Sequence, residues 1–204
     1  MIGQILSLLK TYTSGLKRKP LYAAFREDHV FCLTEMKEQS HSPQQHSIYK
    51  GKVVRIENSF EAAFIDIGAL EPGFLPLRKI ALHYYPQSYA YQGRPQIRDV
   101  VRIGQEVLIQ VEKLDQRYCH AHLTTLIAIP GQYLTLRPNT PGGVDVSHPL
   151  DTDAMSALTT LLRTQSEQEE MSVVVSLAAS KQPVETLTAD LQSLLNIWDS
   201  VKAM

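Results

Sequence analysis

From Ile48 onward the chain sets one strand pattern after another with almost no room between them, and that density constrains the fold most. IYKGKVVRIE alternates, with Val53, Arg55 and Glu57 on one face and Val54 and Ile56 on the other. A turn at Asn58-Ser59 leads into EAAFIDIG, and GFLPL follows a turn at Glu71-Pro72-Gly73. After an inserted segment, GQEVLIQVEKLD and YCHAHLTTLIAI supply two more strands. Five strands with short turns suit a small closed barrel of the OB type.

The same stretch sets Phe64 and Phe74 close to Lys50, Lys52 and Arg55. Ala63 and Ile65 flank Phe64, so period-two alternation puts the ring on the face opposite to theirs. An exposed ring can stack any base at roughly 1–3 kcal/mol without sequence preference. Nearby cations add a phosphate term that weakens with salt. The competing reading is that either phenylalanine fills the barrel.

Charge supports the first reading only when it is resolved along the chain. The net charge of −1 argues by itself against a nucleic-acid partner. Residues 48–104, however, hold 8 basic and 5 acidic side chains, whereas residues 105–204 hold 6 and 12. An anionic partner should therefore meet the first half. At 204 residues the chain has room for one large domain or two small ones.

Residues 1–47 read as an amphipathic helix, with Ile2, Ile5, Leu6 and Leu9 on one side, and a hairpin over 21–36 that turns at Arg26-Glu27-Asp28. The basic run Lys17-Arg18-Lys19 follows the apolar part, the reverse of a secretory signal. No apolar run approaches the ~20 residues that span a bilayer. Cys32 and Cys119 form no CxxC pair, as expected of a reducing compartment. A cytoplasmic location without a membrane partner is expected.

The insertion, at about 78–104, carries Tyr84, Tyr85, Tyr89 and Tyr91 with Arg94, Arg98 and Arg102. These tyrosines either stack bases or pin the insertion to the barrel. Beyond residue 126, GQYLTLRPN reads as a strand and Pro138, Pro141, Gly142 and Gly143 as a loop. DTDAMSALTTLLRTQ starts a helix at Asp151 or Asp153, and MSVVVSLAA is a buried-type strand. VETLTADLQSLLNIWDSVKAM closes the chain as an amphipathic helix whose Leu187, Leu191, Leu194, Leu195 and Trp198 spacing is core packing.

Taken in order, IYKGKVVRIENSFEAAFIDIGALEPGFLPL, GRPQIRDVVRIGQEVLIQVEK, LTTLIAIPGQYLTLRPN and DLQSLLNIWDSV resemble the N-terminal half of the ribonuclease E/G family over residues 21–203. The resemblance implies an α+β chain of three parts. Residues 1–47 would be a helix and a hairpin left over from a ribonuclease-H-like subdomain. Residues 48–125 would be a five-stranded S1-type OB barrel that binds single-stranded RNA. Residues 126–204 would be an α/β unit similar to the family's 5′ sensor of monophosphorylated ends.

Carried over position by position, the resemblance makes Phe64 and Phe74 the base-stacking rings, and the neighbouring cations Lys50, Lys52 and Arg55, with Arg117, are expected as phosphate contacts. A family lysine falls at Cys119, and Arg117 is the nearest replacement for its charge. At the sensor the family's arginine and threonine fall at Ser176 and Leu177. Serine offers one neutral hydroxyl where a guanidinium offers a planar fork of donors, and leucine offers nothing polar. Gly131 matches a small residue that admits the terminal nucleotide, Thr135 an apolar contact, and His148-Pro149 a basic pair. Loss of 5′-monophosphate reading is expected.

Catalysis in the family depends on a later domain with two magnesium-holding aspartates and on a zinc-sharing cysteine pair, which implies no catalytic residue, metal site or cofactor in this chain. Asp145, Asp151, Asp153 and the Glu167, Glu169 and Glu170 run read as solvated acids. His120 and His122 alternate onto one face but lack a third ligand for a metal. The expectation is a single-stranded RNA-binding module that does not cut by itself. Alternatives are the gripping half of a split ribonuclease, or a regulator that docks on a full-length ribonuclease or on a second copy of itself.

Overall fold

The computed structural model describes residues 21–27, 30–36, 43–86, 95–115, 120–146, 151–165 and 171–203, with side chains from residue 43 onward except at 115, 120 and 162–165. The N-terminal helix, Tyr89, Tyr91, Arg94, Arg117, Cys119, His148-Pro149 and the Glu167–Glu170 run lie outside the described residues, as do the side chains of Cys32 and His120. The chain forms two compact units, one running to Thr125 and the other from Leu126, with the short segment Glu27–Phe31 grouped with the second.

In the first unit, β3 (Ile48–Glu57), β4 (Ala62–Asp66), β5 (Gly73–Pro76), β6 (Glu106–Asp115) and β7 (His120–Thr124) close in the order β3-β4-β5-β7-β6 and back to β3. This is the expected five-stranded OB barrel. All pairings are antiparallel except β5 with β7, which run parallel through Phe74 and His122. That contact is close. A Cβ on Gly73 would sit 2.5 Å from Leu123 Cδ1, so β5 and β7 need glycine there. Tyr49, Val53, Ala63, Ile65, Leu75, Val107, Ile109, Val111, Ala121 and Leu123 fill the interior, the period-two set of each strand.

Two bulges interrupt that period. Register shifts between Val53 and Arg55 in β3, and again between Val111 and Lys113 in β6. Val53 points inward and Ile56 packs on the same core, which leaves Val54 and Arg55 both outside. The strict alternation of Val53, Arg55 and Glu57 against Val54 and Ile56 is thus overturned, because an extra residue resets the phase. Val111 and Leu114 are likewise inward, so Glu112 and Lys113 fall between them on the exposed side.

The insertion is pinned. The Tyr84 hydroxyl accepts from Leu108 N–H at 3.2 Å and the Tyr85 hydroxyl reaches the Leu77 carbonyl at 3.4 Å. Both rings pack on the barrel core, so for these two the pinning reading holds. The helix α1 (Ile97–Val100) buries Ile97 and Val100, and Ile97 N–H donates to the Glu61 carboxylate at 2.8 Å. The hairpin of β1 (Leu21–Glu27) and β2 (Val30–Met36) pairs through β1 with the start of β3, at Ala23–Tyr49 and Ala24–Ile48. One edge of the hairpin is thereby satisfied within the chain.

The second unit is a four-stranded sheet of order β10-β11-β9-β8, with β8 at Ile129–Pro130, β9 at Leu134–Arg137, β10 at Gly143–Val146 and β11 at Ser172–Val175. Gly143, expected in a loop, instead starts β10 and pairs parallel with Ser172. Backbone pairing overrides the local turn signal of Pro141-Gly142-Gly143. Two helices, α2 (Thr152–Gln165) and α3 (Val184–Lys202), pack on each other and on the sheet. In α3 Leu187, Leu191, Leu194, Leu195, Trp198 and Val201 are buried, the expected apolar stripe extended by one residue.

Candidate nucleic-acid interface

Strand pairing places five side chains in one row across the outside of the barrel. Arg55 on β3 pairs with Phe64 on β4, Phe64 with Phe74 on β5, Phe74 with His122 on β7, and His122 with Lys113 on β6. Phe64 and Phe74 have ring centroids 5.8 Å apart at 65°, and Phe74 and His122 5.7 Å apart at 73°. Edge-to-face packing of this kind suits the ring quadrupole. The row has a cation at each end, and in both cases a bulge turned that cation outward.

Phe64 lies on the face opposite Ala63 and Ile65, as its alternation indicates, but it does not stand in water. It is 2% exposed, packed with Val54 and Phe74, and the Arg55 guanidinium lies 4.6 Å from its ring centroid. A desolvated cation over a ring face is worth on the order of 2 kcal/mol, which favours this closed arrangement. Phe74 is half-buried, as is His122, and Lys113 is exposed. Arg55 is half-buried too, so the accessible part of the row is Phe74, His122 and Lys113 with the outer side of Arg55.

The other cations divide by their partners. Arg55 also faces Glu57 at 3.6 Å. The Ser59 hydroxyl, which donates to Glu57 Oε1 at 2.7 Å, is the main reason that carboxyl is held below its usual range, with Arg55 a lesser one. Lys50 pairs with Glu106 at 3.1 Å. Lys52 is exposed and stands across from Asp66 on one side and Glu106 on the other. Exposed pairs of this sort hold by less than about 1 kcal/mol, so a phosphate can compete for the lysines.

The second unit treats its candidate residues differently. Ser176 and Leu177 are exposed, Leu177 at 61%, and the Ser176 N–H donates to the Tyr133 carbonyl at 2.9 Å. Thr135 is half-buried in β9, paired with Val174 and Pro130. Gly131 sits against the chain itself, since a Cβ there would lie 2.7 Å from Asp190 Oδ1. The Asp190 carboxylate accepts from three successive amides, Gln132 at 3.1 Å, Tyr133 at 2.9 Å and Leu134 at 3.0 Å. An intrachain clamp accounts for the glycine.

Among the described residues no group of three or more His, Cys, Asp or Glu is placed to hold a metal ion. Sequence reasoning considered His122 only as a metal ligand and passed over Lys113 and Asp190. The first had a readable sign, because Ala121 and Leu123 point inward and leave residue 122 outside. Asp190 had one too: it lies on the apolar stripe between Leu187 and Leu194, where an acid needs a partner.

Residues 42–120 match the S1 RNA binding domain, and residues 128–204 match the Ribonuclease E/G family. Ribonuclease E of Haemophilus influenzae is 39% identical over 168 residues, 82% of this chain and 18% of that protein. Ribonuclease E of Escherichia coli strain K12 is 40% identical over 168 residues, 82% of this chain and 16% of that protein. A solved chain titled as the a/eIF2alpha-aDim2p-rRNA complex from Pyrococcus horikoshii OT3 is similar over 42% of this chain and 45% of its own, at 23% identity and a TM-score of 0.31. The chain spans less than a fifth of the length of those two ribonuclease E relatives. With an S1 domain over its barrel and the family's own match over its second unit, the chain belongs to the ribonuclease E/G family.

Proposed function

We propose that the barrel binds single-stranded RNA by stacking bases on Phe74 and neutralising phosphates with Lys50, Lys52 and Arg55, and that these two units grip RNA without cutting it. The observation that carries this reading is the cross-strand row on an S1 barrel: an accessible ring backed by a buried one, with a cation at either end. Phe64 acts as the foundation of Phe74, and Arg55 serves both the phosphate path and the cover over Phe64. The relatives are ribonucleases by name, which makes an RNA ligand the natural one for this surface. The second unit supports a scaffold role, because the amides beside Gly131 are held by Asp190 and residues 176–177 present no cation.

Titration of the full chain with a fluorescent oligouridylate at several salt concentrations tests this. Affinity should fall with salt with a slope of about −0.7 per phosphate contact. Phe74→Ala should cost roughly 1–3 kcal/mol of binding while the protein stays folded. Unchanged affinity in Phe74→Ala overturns the stacking role. Shortened product on the same samples with magnesium present overturns the claim that these units only grip.

A further inference from the structure

We infer that His122 is a second base-stacking ring beside Phe74, so that an RNA strand crosses the barrel from Phe74 onto His122 and reaches the ammonium group of Lys113. The inference rests on the reading above and extends the same surface by one nucleotide. It starts from pairing: β7 brings His122 beside Phe74 on one side and beside Lys113 on the other. Ala121 and Leu123 are buried in the barrel interior at 2% and 0%, which fixes the imidazole on the outer face.

The imidazole is half-buried, its centroid is 5.7 Å from that of Phe74, and its plane is turned by 73°. Histidine is among the planar side chains on which unstacked bases lie. A nearly perpendicular neighbour means that one base cannot lie flat on both rings, so Phe74 and His122 serve successive nucleotides. Lys113 is exposed next to His122 because the bulge after Val111 turned it outward, so a phosphate beyond the second base meets a cation. At the other end, Arg55 already lies over the buried Phe64 ring. The free end of the row is therefore the one that carries His122.

A plain structural role would be to fill space at the edge of Phe74, and substitution can tell the two apart. Leucine at this position fills a similar volume without a flat face, and phenylalanine restores the face. The 204-residue wild type, His122→Leu, His122→Phe and Phe74→Ala would be titrated with oligouridylates from about 4 to about 16 nucleotides long. Circular dichroism and thermal melts would run alongside. His122→Leu should bind about 5- to 30-fold more weakly with an unchanged melt, within the range of one lost stack. The length at which affinity levels off should shorten by about one nucleotide, a readout that space-filling would not move. His122→Phe should restore both.

Wild-type affinity and plateau length in His122→Leu, with Phe74→Ala still impaired, overturns the role of His122 and leaves the barrel's RNA reading standing. Phe74→Ala binding like the wild type removes that reading and this one together. Weak binding by His122→Phe as well as His122→Leu would show that the flat face is not what matters, and also overturns the inference.

Discussion

The row on the barrel and the turn between β8 and β9 employ similar groups to opposite ends. On the barrel, Phe74, His122 and Lys113 finish at the surface with a face or a charge left open. At the turn, three successive amides of the kind that can cradle an anion converge on Asp190 of the same chain. The contrast recurs within the row itself. Phe64 and Phe74 are neighbours of one residue type, yet one carries Arg55 on its face and the other is partly open. A ring or a donor array is a binding feature only when the chain has not already used it.

The sharpest break in the comparison is Phe64→Ala. Removing a buried ring that supports Phe74 and Arg55 should cost about 3–5 kcal/mol of stability in chemical denaturation, whereas Phe74→Ala should cost much less. Equal stability losses would show that the two rings are not a foundation and a platform. A double substitution of both rings would mix folding with binding, so Phe74 alone is the clean probe.

Next in size is Asp190→Ala, which leaves three amides without their acceptor and should lower stability by about 2–3 kcal/mol. Gly131→Ala should act in the same direction, since its methyl would meet the carboxylate. If Asp190→Ala melts like the wild type, water replaces the clamp, and the turn is open to an anion after all.

Lys52→Ala should be milder, with a salt slope shallower by about 0.7 and affinity reduced less than about tenfold. No change in slope would remove Lys52 from the phosphate path and leave the cations of the row itself.

The smallest effect is alkaline. Burial pushes the hydroxyls of Tyr49 and Tyr84 above their ordinary 10.0, although each accepts a backbone N–H that opposes the shift. Below that value both states are protonated and the stabilisation is complete. As pH rises beyond it the unfolded chain ionises first, and stability falls through the raised folded values. Ultraviolet titration should show these two tyrosines ionising late or with unfolding. Early ionisation of all 9 tyrosines would show that the insertion is not pinned through Tyr84.

Much of this was legible in particular residues. The alternation around Phe64 was enough to put its ring opposite Ala63 and Ile65, and the Leu187-to-Trp198 stripe gave the buried face of α3. The exposure of Phe64 was not legible, because its cover comes from Arg55, which strict alternation assigned to the face of Val53. The strand β10 was hidden for a related reason: Gly143 carries a turn signal, and only pairing with β11 makes it a strand. Gly131 looked like room for a ligand because its true neighbour, Asp190, is remote in sequence.

Periodic burial along each strand and helix, the density of turns and the placement of charge were determined by the sequence alone, and these suffice for an OB barrel followed by an α/β unit. Tertiary structure decided which ring faces solvent, which cations share its row and which amides are already taken. The physical reason is that a bulge changes strand phase without changing composition, and that a side chain's cover is supplied by neighbours across the sheet, which period-two reading cannot see.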